Sequence, residues 1–236
     1  MNSNTNNPNN KNFIPERKNI IEFLYNYISK IISPLFIKLN FSANFVTIIS
    51  GLIGVFGSLL ILFNSNFYNI LAFIFLNIFV VLDLVDGDIA RYNNTSSLFG
   101  RWLDLFFDKL NEILFISILS YAAYITSEEN IYLILGFILI TMHFLYQYII
   151  LANLYWFSGQ SKNIKIKKND SSIKQIEKRS IGNFILVHFT MKHATLFFVG
   201  SIFVLFGKYH FAIFFLSIIA TFSVFLSCLR NFLQLK

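Results

Sequence analysis

Polar and apolar positions fall into long blocks along this chain. Apolar runs at about 45–64, 67–85, 104–125, 131–156, 194–207 and 209–229 each approach the ~20 residues a helix needs to cross a bilayer. The fifth run is short unless it begins earlier, near Phe184. Ahead of them, residues 16–41 mix Lys30 and Lys38 with leucine, isoleucine and phenylalanine, a pattern that predicts a helix lying in the membrane interface and interrupted near Pro34. All three prolines (Pro8, Pro15, Pro34) precede the first long run, so no span is broken by proline. The pattern predicts an all-α integral membrane protein: a polar tail over 1–19, an interfacial amphipathic helix over 20–41, and a six-helix membrane domain over 42–232. A lysine-rich loop over 158–182 separates the fourth and fifth spans. The first long apolar run starts too far into the chain for a cleaved signal peptide, and no internal repeat is visible.

Composition strengthens this reading. Of 236 residues, 56% are hydrophobic and only 13% charged, about half the charge load of a soluble domain. The mean hydropathy is +0.61. The net charge of +7 would suit a nucleic-acid partner if the basic residues were not so placed. Five precede the first span, Arg91, Arg101 and Lys109 lie around the second connection, eight fall in 158–193, and Arg230 and Lys236 end the chain. Only Lys208 lies on the opposite side. Basic residues mark the cytoplasmic face, so both termini and the second connection are expected there, in a bacterial inner membrane. The surplus charge then reflects topology and attraction to anionic headgroups, and no nucleic-acid partner is expected. The single cysteine, Cys228, lies in an apolar stretch and reads as a small buried hydrophobe.

The acidic residues are crowded. Of twelve, six (Asp83, Asp86, Asp88, Asp104, Asp108, Glu112) fall within thirty residues flanked by membrane-grade sequence. Asp83 and Asp86 are three apart at the end of the second span, and Asp104 and Asp108 four apart at the start of the third, so each pair shares a helix face. The two spans are joined by a connection of roughly 18 residues in this reading, which lets four carboxylates converge. Four ionised carboxylates at close range require protons or cations between them. Hard divalent cations with oxygen ligands satisfy them, and two such ions can clamp the attacking and leaving oxygens of a phosphoryl transfer. Arg91 adds a planar donor suited to a diphosphate, and Gly87 and Gly100 leave room beside the backbone.

These residues carry a resemblance. Asp83, Asp86, Gly87, Ala90, Arg91, Gly100, Asp104 and Asp108 match the signature D-x-x-D-G-x-x-A-R, eight residues, G-x-x-x-D-x-x-x-D of the CDP-alcohol phosphotransferase family at every interval. Ala43-Asn44-Phe45-Val46-Thr47 is similar to a second family element, with alanine in place of its usual proline. The resemblance covers roughly residues 40 to 230. It implies that Asp83, Asp86, Asp104 and Asp108 hold two Mg²⁺ or Mn²⁺ ions, and that Asp108 also takes the proton from the acceptor hydroxyl. It implies that Asn44, Thr47, Gly87, Ala90, Arg91 and Gly100 form a cytidine diphosphate pocket, and that the protein is a homodimer. Family members that use glycerol phosphate often carry proline after the third aspartate, where this chain has Leu105.

The resemblance leads to one expected activity: transfer of a phosphatidyl group from CDP-diacylglycerol to a polar alcohol (glycerol phosphate, inositol phosphate, serine or similar), with release of CMP. The alternatives are a CDP-choline or CDP-ethanolamine type of transfer to a lipid alcohol and, from another class, a cation-coupled transporter. The carboxylates lie at one membrane face, whereas transporter sites sit near the midplane. Arg101, Lys192 and His193 are candidates for acceptor binding. Asp88, at a variable position of the signature, is expected to face solvent or acceptor. Glu112 shares the face of Asp108, His143 and Gln147 are expected to bond to each other or to a neighbouring helix inside the fourth span, and Trp102 and Trp156 read as interfacial anchors.

Overall fold

The computed structural model describes residues 19–164 and 191–234. Among them the elements are α1 (Ile20–Lys38), α2 (Ala43–Leu60) with a 3₁₀ turn over Ile61–Phe63, α3 (Asn66–Tyr92), α4 (Leu98–Ser127), α5 (Ile131–Ile164), α6 (His193–Leu205) and α7 (Tyr209–Gln234). A bilayer offers the backbone no water, so each spanning segment must pair its own amides, which a helix does. Among the described residues, six helices are long and apolar enough to cross: Ile20–Lys38, Ala43–Phe63, Asn66–Tyr92, Leu98–Ser127, Ile131–Asn153 and Tyr209–Leu229. The protein is a multi-pass membrane protein. Helix α6, at 13 residues, is shorter, and an earlier start near Phe184 falls outside the described residues. So do most of the 1–19 tail, the larger part of the 158–182 loop and the side chain of Trp156; residues 158–164 continue α5.

Three expectations are corrected, the first being Cys228, which is exposed on α7 rather than buried. The connection between the second and third spans is five residues, 93–97, because the polar signature stays helical at both ends and lengthens α3 and α4 beyond their apolar cores. Helix α1 runs unbroken through Pro34. Proline costs it one backbone hydrogen bond. Contacts on both sides of Pro34 offset that loss: Ser29 and Ser33 reach Asp88 of α3, and Phe36 and Ile37 pack on the core.

Helix ends follow local chemistry. Asn19 and Glu22 form a capping box at the start of α1, and the Ser42 and Ser97 side chains accept the Phe45 and Gly100 amides at 3.3 and 2.9 Å. Asn40, Asn64 and Asn94 close the first three turns in the left-handed region (φ 57°, 46° and 54°), which asparagine tolerates better than most residues.

Helix α3 is the pivot, packing on α2, α1 and α6, while α4 packs on α2, α5 and α7. Glycines bring these helices together. A Cβ at Gly51 would strike the Phe107 ring of α4, and one at Gly54 would meet Asn111 of α4 and Phe79 of α3. Small residues let membrane helices approach this closely, and here they draw α3 and α4, the carriers of the acidic residues, onto one face of α2. Helix α1 is different. Tyr25, Ser29 and Ser33 form its buried stripe, while Phe23, Leu24, Tyr27, Ile31 and Leu35 stay exposed. Only 17% of its apolar window is buried, against 50% for α2.

Candidate active site

The last turns of α3 and the first turns of α4 place Asp83, Asp86, Asp104 and Asp108 together. Carboxylate oxygens of Asp83, Asp86 and Asp104 lie within 4.8 Å of one another, and so do ligand atoms of Asp83, Asp108 and His193. Asp83 belongs to both groups. Asp86 is buried at 6% exposure, and its Oδ2 accepts the Thr47 hydroxyl at 2.5 Å. Thr47 is thus fixed on α2 to orient a carboxylate of α3. Asp108 Oδ1 and His193 Nε2 are buried polar atoms without a hydrogen-bond partner among the described residues. Buried carboxylates this close repel one another strongly, and orphaned polar atoms beside them add to the cost. A divalent cation relieves both, so the donor set fits a metal ion.

A cavity lies on each side of the cluster. The first, about 250 Å³, is lined by Asn44 and Thr47 of α2, Gly87, Ala90 and Arg91 of α3, and Gly100 of α4, together with Asp86, Asp104 and Arg101. All six residues expected around the nucleotide therefore share one cavity. Gly100 has a steric reason: a Cβ there would stand 2.9 Å from Asn44 Oδ1. Arg101, a candidate for the acceptor, also lines this cavity. The second cavity, about 300 Å³, is lined by Asp83, Asp108, Lys192 and His193, with Glu22 and Asn26 of α1, and Arg91 borders it too. Lys192 and His193 come to the cluster from a distant part of the chain.

Other polar groups have defined partners. Asp88 is partly exposed, at 26%, and accepts Arg91 Nη2 at 2.7 Å and the Ser33 hydroxyl at 3.0 Å, tying α1 to α3. Glu112 is fully buried and accepts Lys109 Nζ at 2.8 Å, Gln147 Nε2 at 3.1 Å and His193 Nδ1 at 3.0 Å. His143 and Gln147 meet at 2.8 Å, as expected. Trp102 is 57% exposed on the outer face of α4, stacked between Phe99 and Phe106. Sequence reasoning missed Glu22, Asn26, Ser29 and Ser33. They sit on one face of an amphipathic helix, which shows that the face is polar but not what it meets.

The model of one protein family, CDP-alcohol phosphatidyltransferase, matches residues 40–229. A 93-residue stretch, 39% of this chain, is 33% identical to the bifunctional IPC transferase and DIPP synthase of Aquifex aeolicus. That stretch is 21% of the Aquifex protein, so the chain spans about a fifth of that relative's length. Among solved structures, the phosphatidylinositol phosphate synthase of Mycobacterium tuberculosis, crystallised with CDP-DAG bound, shares the fold. It superposes at a TM-score of 0.50 over 84% of this chain and 90% of that one, with 16% identity. With the signature spacing gathered into one acidic centre and most of its length covered by the family model, this chain belongs to the CDP-alcohol phosphatidyltransferase family.

Proposed function

We propose that this protein transfers a phosphatidyl group from CDP-diacylglycerol to a polar alcohol and releases CMP. The observation that carries the reading is the paired arrangement: the signature carboxylates stand between two cavities, one lined by the signature's small residues and Arg91, the other by Asp108, Lys192 and His193. The signature side takes the cytidine diphosphate, with Asn44, Thr47, Gly87, Ala90 and Gly100 shaping the space and Arg91 and Arg101 offering donors to phosphate oxygens. The other side takes the alcohol. Asp83, Asp86, Asp104 and Asp108 hold two divalent cations, Mg²⁺ or Mn²⁺, which supply neutralisation of the diphosphate charge. Asp108 removes the acceptor hydroxyl proton, the alkoxide oxygen bonds to the phosphorus distal to cytidine, and the bond from that phosphorus to the CMP oxygen breaks. Lys192 and His193 position the acceptor. The site faces the cytoplasm of a bacterial cell, both termini share that side, and the protein works as a homodimer in the inner membrane. The CDP-DAG bound to the mycobacterial neighbour supports this choice of donor.

The test is to offer the purified protein CDP-diacylglycerol, Mg²⁺ and a panel of polar alcohols, then identify the lipid product. One acceptor should yield CMP and a new phospholipid, EDTA should stop the reaction, and Mg²⁺ or Mn²⁺ should restore it. Turnover that ignores chelation would sink the metal assignment. A product only with CDP-choline or CDP-ethanolamine and diacylglycerol would reverse which partner carries the lipid.

A further inference from the structure

The two groups of ligand atoms around Asp83 differ in chemistry. Asp83, Asp86 and Asp104 offer oxygen alone, while the second group adds an imidazole nitrogen. The placement of His193 is specific. Its Nδ1 lies 3.0 Å from Glu112 Oε1 and donates to that carboxylate, which leaves Nε2 as the ring nitrogen turned away from Glu112. Nε2 then points toward Asp108, 3.7 Å from Oδ1, too far for a hydrogen bond. Both of those atoms are buried and without a partner among the described residues. Phe79 and Phe197 pack against the imidazole, with ring centroids 5.4 and 4.8 Å away, and limit its rotation. Glu112 is itself held by Lys109 and Gln147. A carboxylate that fixes the tautomer of a histidine whose other nitrogen faces acidic side chains is the usual support of a metal-bound imidazole.

We infer that His193 is a ligand of one of the two cations, so the two metal positions are unequal: an all-oxygen position at Asp83, Asp86 and Asp104, and an oxygen–nitrogen position at Asp83, Asp108 and His193. The inference rests on the metal-dependent reading above. Nitrogen ligands raise affinity for first-row transition ions relative to Mg²⁺, whose preferred ligands are oxygen. The mixed position therefore retains Mn²⁺ in the presence of excess Mg²⁺, while the all-oxygen position exchanges freely. On this assignment His193 borders the acceptor cavity as a cation ligand, and Lys192 is the basic side chain there that meets the acceptor itself.

The experiment is a Mn²⁺ titration of the full-length protein in excess Mg²⁺, read by pulsed electron paramagnetic resonance. One Mn²⁺ per chain should be retained and should show a directly bonded nitrogen whose frequency changes when histidine is labelled with ¹⁵N. Among the described residues His193 is the histidine grouped with the signature aspartates, while His143 meets Glu112 instead, so the wild-type spectrum decides even if a variant fails to fold. His193→Asn should lose the nitrogen signal and bind Mn²⁺ at least ~10-fold more weakly, and Glu112→Gln should keep the signal with affinity reduced ~10–100-fold. Retained Mn²⁺ with oxygen ligands only, or a nitrogen signal that survives in His193→Asn, overturns the inference and leaves the metal-dependent reading standing. Failure to bind either cation, with turnover indifferent to EDTA, overturns both.

Discussion

At the scale of single residues, the four signature aspartates are not equivalent. Asp86 is the most enclosed and has its own donor in Thr47, whereas Asp108 has an unpartnered oxygen on the side of the second cavity. That difference suits Asp86 to a fixed ligand and Asp108 to the residue that meets the acceptor. Asp108→Asn keeps the size of the side chain and removes its basicity, so CMP release should fall by roughly 10²–10⁴-fold while cytidine nucleotide binding stays measurable. Undiminished turnover would remove Asp108 from the role of base. Asp88 has a different task. It lies inside the signature by position, yet its carboxylate is spent on Arg91 and on two serines of α1.

At the scale of elements, two packing devices hold the site in shape. The first is the close approach of α4 to α2 at Gly51. Gly51→Ala forces the Phe107 ring aside, and overpacking of this kind costs about 1–3 kcal/mol. Thermal unfolding in detergent should show the loss, and a variant as stable as wild type would mean that α4 slides without penalty. The second is the polar seam between α1 and the bundle: Ser29 and Ser33 on Asp88, Glu22 on Lys192 at 3.0 Å, and Asn19 on Thr195 at 3.0 Å. Each such bond is worth ~0.5–1.5 kcal/mol net. The double substitution Ser29→Ala, Ser33→Ala should therefore speed amide exchange in α1 several-fold and leave α3 unchanged. Unaltered exchange would show that the apolar contacts of Tyr25 suffice. Because Glu22 and Asn26 line the second cavity, looser docking of α1 should also weaken acceptor use more than nucleotide binding.

At the scale of the whole molecule, long apolar helices carry a polar centre near one end of the bundle. The proposed orientation puts that end in the cytoplasm. In a Cys228→Ser background, Asn94→Cys places a thiol in the turn between α3 and α4. A membrane-impermeant maleimide should label it only when the cytoplasmic face is open to the reagent. Labelling of intact cells from outside would invert the topology and strand the site away from cytoplasmic CDP-activated donors.

The sequence by itself determined the helical membrane class, the apolar core of most spans, and the signature aspartates with their glycine, alanine and arginine neighbours. It could do so because a bilayer demands long apolar runs and because the signature residues sit within a few helical turns of one another. Only the tertiary structure decided the rest. It closed the expected long connection to 93–97, kept α1 helical through Pro34, placed Arg101 in the cavity lined by the signature's small residues and joined Asp88 to α1. It also brought His193 from α6 to Glu112 and Asp108 of α4, more than eighty residues away in sequence. The physical reason is the same in each case. Local pattern sets which face of a helix is polar, but the partner of that face depends on how glycines, caps and buried hydrogen bonds fit distant helices together.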